Sequence, residues 1–325
     1  MAFSKVLVLQ IALLVSLVHF TMAARELPKS SSSQVDDKNM LFQYHNGPLL
    51  SGKISLNLIW YGKFTSSERS IVADFITSLS STSNPTTTKN QPSVATWWKS
   101  TEKYFNLVKS KRGSPLVLSL GTQIIDESYS LGKILTEQNI KQLAAKGPQR
   151  NAINIVLTAA DVTPARFCSS TCGSHGSLLS SKSATPKGKI YKFAYIWVGN
   201  SATQCPGKCA WPFHQPTYGP QNPPLVAPNN NVGIDGMIIN IATLLAGTAT
   251  NPFGNGYFQG PATAPLEAAT ACQGIYGSGA YPGNAGNLLV DPTTGGSYNA
   301  VGGNGRKYLL PALIDPSTAT CSTLV

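Results

Sequence analysis

No residue between Met237 and Ala249 carries a charge. Residues 234–252 read Ile-Asp-Gly-Met-Ile-Ile-Asn-Ile-Ala-Thr-Leu-Leu-Ala-Gly-Thr-Ala-Thr-Asn-Pro. A helix that is apolar or weakly polar on every side is stable in water only when other elements enclose it. The fold must therefore be built around this segment, with Gly236 to Ala249 buried and devoted to packing. Asp235 stands at the expected N-cap, and Thr250-Asn251-Pro252 supplies the stop.

A chain of 325 residues with 42% hydrophobic content can enclose such a helix in one large domain, and no repeat of 20–50 residues divides it. The beginning has the form of a targeting signal, expected over residues 1–24. Lys5 is the positive n-region, Val6 to Phe20 the apolar stretch, and Thr21-Met22-Ala23-Ala24 the small-residue cleavage zone. Gln10, Ser16 and His19 interrupt the run and argue against a bilayer span. Residues 25–38, centred on Ser30 to Ser33, have the polarity of a flexible segment, and 39–325 forms the domain. The sequence thus predicts an exported protein with no membrane span after processing. Its net charge of +11, or +10 once Lys5 is removed, favours acidic extracellular polymers over nucleic acid as partners. The basic clusters Lys109-Ser-Lys-Arg112 and Lys187-Gly-Lys-Ile-Tyr-Lys192 are short, and scattered solvated lysines explain them equally well.

Cys168, Cys172, Cys205, Cys209, Cys272 and Cys321 are an even set in an exported chain and predict three disulfides. The first four form two Cys-x-x-x-Cys pairs, and spacing suggests that Cys272 joins Cys321. The remaining connectivity stays open. A four-cysteine zinc site is the alternative that an oxidising compartment disfavours. No acceptable Asn-x-Ser/Thr sequon occurs.

Alternation of Ile54, Leu56, Leu58 and Trp60 with polar neighbours predicts a half-buried strand. Thr65-Ser-Ser-Glu68 is a capping box for a helix whose Ile71, Val72, Phe75, Ile76 and Leu79 share a face. Helical spacing continues through Trp97, Thr101, Tyr104, Phe105 and Val108, closing at Lys109 to Gly113. Leu116 to Ile125, Ala152 to Thr158 and Lys189 to Val198 read as strands, and Thr136 caps a short helix ending at Gly147-Pro148. The last strand carries Tyr191, Phe193, Tyr195 and Trp197 on one face. Such a row either stacks on sugar rings or, more commonly, packs on a helix. From Gly199 to Asn231 a long Pro- and Asn-rich stretch needs pinning, which Cys205 and Cys209 supply. The C-terminal quarter is rich in turn residues. The elements sum to a single α+β domain, secreted and disulfide-linked.

Five segments are more specific than any of these patterns. His45-Asn-Gly-Pro-Leu-Leu50, Ile59-Trp-Tyr-Gly62, Asn229-Asn-Asn-Val-Gly-Ile-Asp235, Thr250-Asn-Pro-Phe-Gly-Asn-Gly-Tyr257 and Asn304-Gly-Arg-Lys-Tyr-Leu-Leu-Pro311 resemble the plant EXORDIUM family, also called phosphate-induced proteins. The resemblance implies a secreted protein of the cell wall space and apoplast, linked to brassinosteroid-dependent growth and cell expansion. It supplies no catalytic or ligand-binding residues.

The central helix is also weakly similar to the active-site helix of a class of secreted zinc peptidases, which reads roughly Ser-His-Glu-Leu-Ala-Glu-Ala-Val-Thr-Asp/Asn-Pro. On this chain the ligand His falls on Thr243, the general base on Leu244 and the second acid on Gly247. A hydrolytic zinc site needs N, O or S donors and a base, so this similarity implies a degenerate zincin-like fold that has lost its chemistry. It also pairs His175, in Cys172-Gly-Ser-His175, with Glu267 as a residual site. The plainer reading is a loop histidine beside a disulfide and a glutamate on a short helix.

Other chemistries lack their marks. There is no Gly-x-Ser-x-Gly elbow, Walker loop or dinucleotide fingerprint. Asp161, Asp235, Glu267 and Asp291 are the carboxylates available to a glycosidase. Asp161, Asp235 and Asp291 read as a strand end, a cap and a turn. Two functional classes remain: a protein without catalysis or cofactor that binds acidic wall polysaccharide or an extracellular protein, and a hydrolase of wall glycan or peptide acting through an unrecognised site. The missing His-Glu pair favours the first.

Overall fold

The computed structural model describes residues 41–81, 91–108, 114–181 and 189–325, all within the unit Met40–Val325. The signal segment 1–24, the polar segment 25–38, the cluster at 109–112 and part of that at 187–192 lie outside the described residues.

Five strands form the central sheet: β1 (Lys53–Tyr61), β2 (Val117–Asp126), β3 (Ala152–Thr158), β4 (Gly173–Leu179) and β5 (Lys192–Gly199), in the order β2-β1-β3-β5-β4. The first four in that order run parallel, and β4 closes the edge antiparallel to β5. The interior of a mainly parallel sheet is covered on both faces, which corrects the half-buried reading of Ile54–Trp60. From Leu56 to Tyr61 every residue of β1 is enclosed, including polar Asn57. Asn57 is satisfied by giving Nδ2–H to Asn154 Oδ1 (2.8 Å) and accepting the Thr122 amide (2.9 Å).

Helix α1 (Ser66–Ser78) opens on the predicted box, with the Glu68 amide donating to Thr65 Oγ1 at 3.2 Å and the Thr65 amide to Glu68 Oε2 at 2.8 Å. The single helix expected through Trp97 and Val108 is two, α2 (Val94–Lys99) and α3 (Glu102–Leu107). At the break, the hydroxyls of Ser100 and Thr101 bond back to the carbonyls of Trp97 (2.6 Å) and Trp98 (2.7 Å). That local bonding competes with helix continuation. Helix α4 (Glu137–Ala144) carries the predicted Thr136 cap.

Strand β4 has no counterpart in the sequence pattern, since Gly-Ser-His-Gly-Ser lacks strand formers. Pairing along the whole of β5 overrides its weak propensity. Directly opposed residues show the two faces of this ladder. Ser174, Gly176 and Leu178 stand across from Trp197, Tyr195 and Phe193, while His175 stands across from Ile196. The aromatic row is core, as its commoner reading had it: Phe193, Tyr195 and Trp197 are all buried, and Trp197 gives its indole N–H to Thr158 Oγ1 at 3.2 Å.

A one-turn helix α5 (Pro206–Cys209) precedes α6 (Val232–Thr250), the uncharged helix. Although α6 is long and apolar enough to cross a bilayer, most of it is buried inside the fold. Its N-cap is Asn231, whose Oδ1 accepts the Ile234 amide at 3.0 Å. Asp235 is therefore not the cap but a buried residue of the first turn. Thr243 and Leu244 are only partly buried, so Leu244→Ala should lower unfolding free energy by ~1 kcal/mol, against ~2 kcal/mol for the fully enclosed Leu245. Equal losses in urea melts would contradict this placement.

Three disulfides link Cys168 to Cys205, Cys172 to Cys209 and Cys272 to Cys321. The last is the pairing that spacing suggested. The first two join the Cys-x-x-x-Cys pairs side by side and pin the long 199–231 stretch. With every cysteine oxidised, no four-cysteine zinc site forms.

Candidate functional site

Strand β4, helix α6 and the segment before the turn Thr270–Cys272 meet at one point, where they bring His175, Gly247, Asn251 and Glu267 together. His175 Nε2 lies 2.7 Å from Glu267 Oε2, both side chains being largely buried. The other carboxylate oxygen accepts Asn251 Nδ2–H at 2.7 Å. Asn251 is the C-cap of α6, and its Oδ1 also takes the Gly256 amide at 2.7 Å. The Thr-Asn-Pro stop is thus a bridge as well as a terminator. Glu267 is further fixed through its own amide, which donates to Thr270 Oγ1 at 2.6 Å.

Gly247 makes this approach possible. A Cβ there would sit 2.4 Å from Glu267 Oε2 and 3.4 Å from His175 Nε2, so only glycine lets the carboxylate rest on the helix backbone. The remaining ring nitrogen, His175 Nδ1, is buried and has no hydrogen-bond partner among the described residues. The arrangement is an imidazole oriented by a carboxylate, and the carboxylate's two oxygens are already occupied.

The two residues paired from sequence do come together, His175 on an edge strand rather than a loop and Glu267 just before the turn Thr270–Cys272 rather than on a helix. The three helix positions aligned with catalytic ones contribute no donor to them. Thr243 turns its hydroxyl back to the Ile239 carbonyl (2.8 Å), Leu244 is apolar and lies over Gly173, and Gly247 has no side chain. Among the described residues no group of three or more His, Cys, Asp or Glu gathers as a metal site would require. The other carboxylates sit apart in bonds of their own: Asp161 with Lys133 (2.6 Å), Asp235 with Asn229 (2.6 Å) and Asp291 with Lys307 (2.5 Å). His45 is stacked on Phe258, and His214 bonds the Gln215 carbonyl.

Four of the five segments that carry the family resemblance pack on one another in two pairs. The Gly47 amide donates to the Asn255 carbonyl at 2.6 Å, and Asn229 joins the Lys307 carbonyl at 3.1 Å and the Arg306 guanidinium at 3.3 Å. A family model described as "Phosphate-induced protein 1 conserved region" matches residues 42–324. The chain belongs to the phosphate-induced protein 1, or EXORDIUM, family. It is 64% identical to Protein EXORDIUM of Arabidopsis thaliana over 98% of this chain and 99% of that protein. It is 64% identical to Protein PHOSPHATE-INDUCED 1 of Nicotiana tabacum over 98% of each. Protein EXORDIUM-like 3 of Arabidopsis thaliana is more distant, at 35% over 91% of this chain and 89% of its own. No solved structure matches the chain. The degenerate zincin-like fold is accordingly not supported, since among the described residues His175 and Glu267 alone meet beside the helix as metal-capable side chains. The EXORDIUM-family domain is a mixed helix-and-strand structure with three disulfides.

Proposed function

We propose that this EXORDIUM-family protein is exported to the plant cell wall space and promotes growth and cell expansion there, within brassinosteroid-dependent signalling. It acts by binding wall polymer or an extracellular partner rather than by catalysis. Three disulfides and the apolar N-terminal stretch are in keeping with export. The observation that carries the binding reading is the closed state of Glu267. Both of its oxygens are held, by His175 and by Asn251, against a helix whose neighbouring positions offer no donor or base.

The alternative, hydrolysis of wall glycan or peptide, draws on one observation: the Nδ1 of His175, which has no partner among the described residues. A carboxylate-oriented imidazole with a free nitrogen is two-thirds of a nucleophilic relay. Glu267→Gln separates the two readings. Glutamine retains the acceptor for Asn251 and can donate to His175 Nε2, so the fold survives with a loss of ~1–2 kcal/mol. The variant recovered from wall fluid should promote growth as the natural protein does. Hydrolysis of a wall substrate by the natural protein, abolished in Glu267→Gln, would establish catalysis instead.

A further inference from the structure

Strand β2 is one edge of the central sheet, paired with β1 on one side and with no described strand on the other. At ten residues it is the longest strand of that sheet. Such an edge presents a row of amides and carbonyls to any second strand, and proteins usually guard it with lysine or proline. Val117–Asp126 contains neither. Its aliphatic side chains are also open, Val117 being 46% and Ile125 51% exposed.

Two bonds fix which backbone groups point outward. The Val117 amide donates to the Gly52 carbonyl at 2.9 Å, so Val117 faces β1, and strand alternation turns Leu118 and Leu120 away. At the far end the Gly62 amide donates to the Asp126 carbonyl at 3.0 Å, which turns Gln123 and Ile125 away. The alternation shifts at a bulge beside Asn57, whose Oδ1 accepts the Thr122 amide at 2.9 Å. Of these outward groups, only the Leu118 carbonyl is engaged among the described residues, by the Ser80 hydroxyl.

The four outward residues are matched to one another. With a twofold axis between Gly121 and Thr122, an antiparallel second copy sets its Gln123 opposite Leu120 and its Ile125 opposite Leu118, and the reverse. Every outward amide and carbonyl then faces one from the other molecule. The four side chains share the sheet face of Ile54, Leu56, Leu58 and Trp60, so Ile125 of each copy is covered by Leu118 of the other.

Charge selects a second copy as the occupant. Two chains of net charge +11 repel each other over most approaches, yet β2 carries no charged side chain before Asp126. Its ends differ in sign, with exposed Lys53 beside Val117 and exposed Glu127 after Asp126. Antiparallel pairing brings Glu127 of each molecule toward the Lys53 end of the other. We infer that this edge is a homodimer interface, in which β2 pairs antiparallel with β2 of a second copy and two five-stranded sheets become one. The twofold contact is self-complementary, as closed dimers require. It is independent of whether the protein acts by binding or by hydrolysis.

Sedimentation velocity of the mature, disulfide-intact protein over a concentration series, with amide exchange followed by NMR, tests it. A concentration-dependent dimer should form, and the amides of Leu120, Gln123 and Ile125 should exchange at least tenfold more slowly in it than in the monomer. Ile125→Lys, at a half-exposed position, should raise the dimer dissociation constant at least tenfold and leave the urea midpoint unchanged. Leu179→Lys, on the opposite edge of the sheet and 65% exposed, should leave the dimer intact. A protein that stays monomeric up to roughly 1 mM overturns the proposal. So does a dimer whose β2 amides exchange as they do in the monomer, or one weakened equally by the two lysines, as added charge alone would produce. Should Ile125→Lys unfold, the exchange pattern of the natural protein still decides.

Discussion

Gly247→Ala should destabilise this protein by ~3–5 kcal/mol, although alanine normally improves a helix interior by roughly 1 kcal/mol over glycine. The new methyl carbon would lie 2.4 Å from Glu267 Oε2. The carboxylate of Glu267 cannot withdraw without giving up Asn251 at 2.7 Å and His175 at 2.7 Å, while the Glu267 amide stays anchored to Thr270 Oγ1 at 2.6 Å. Displacing one member of a buried, hydrogen-bonded pair leaves the other uncompensated, which costs about 3–5 kcal/mol in other proteins. The decisive measurement is a double-mutant cycle in urea. In a Glu267→Ala background the methyl group has room, so Gly247→Ala should then cost little and the two changes should be strongly non-additive. Additive losses, or a stabilised single variant, would mean that Glu267 does not rest on the helix.

The same residue shows what a sequence can and cannot convey about this fold. An uncharged run announces a buried helix, and the capping boxes at Thr65 and Thr136 announce helix starts, because these signals depend on neighbours within a few positions. The aromatic row of β5 and the pairing of Cys272 with Cys321 were legible for similar reasons of periodicity and spacing. Strand β4 was not, since its Gly-Ser-His-Gly-Ser segment becomes a strand only by lying along β5. Asp235 was misread as a cap because Asn231 lies four residues earlier in a run where several residues are able to cap. The end of α2 was misjudged because hydroxyl back-bonding at Ser100 and Thr101 leaves the apolar spacing intact while breaking the helix.

The site divides along the same line. Bringing His175 to Glu267 was suggested by similarity to a peptidase class, and their contact at 2.7 Å is real. Asn251 as the third member was hidden, because Thr-Asn-Pro reads as punctuation and its side-chain bonds go to Glu267 and Gly256, outside that motif.

Asp235 gives the second large effect, and its sign is opposite to that of the carboxylates paired with lysines. Burial raises its pKa to about 6, against the hydrogen bonds accepted from Asn229 and the more distant charge of Arg306. Arg306 itself is engaged by Asp74 at 2.9 Å, and buried Tyr308 is the remaining titratable group that feels Asp235's charge. A carboxyl with a raised folded-state pKa binds its proton more tightly when folded. Its contribution is fully present below the ordinary carboxylate pKa near 4 and is lost as pH rises through about 6. The whole span amounts to ~3 kcal/mol, of which ~2 kcal/mol falls between pH 4.5 and 7. Asp315 and Asp291 behave in the reverse sense. Hydrogen bonds from Lys103 and Lys307 respectively hold each near 2, so what they contribute is lost only as pH falls below 4. Asp126 joins them, since bonds from Ser130 and Lys146 outweigh its burial and also bring it to about 2. Stability should therefore peak near pH 4–5 and decline toward neutrality. Urea melts at pH 4.5 and 7 should show that decline in the natural protein and a much shallower one in Asp235→Asn, which has no proton to lose. An unchanged slope in the variant would show that Asp235 is not the source of the decline, and a rise toward neutrality would show that Asp235 is ionised in the folded state throughout.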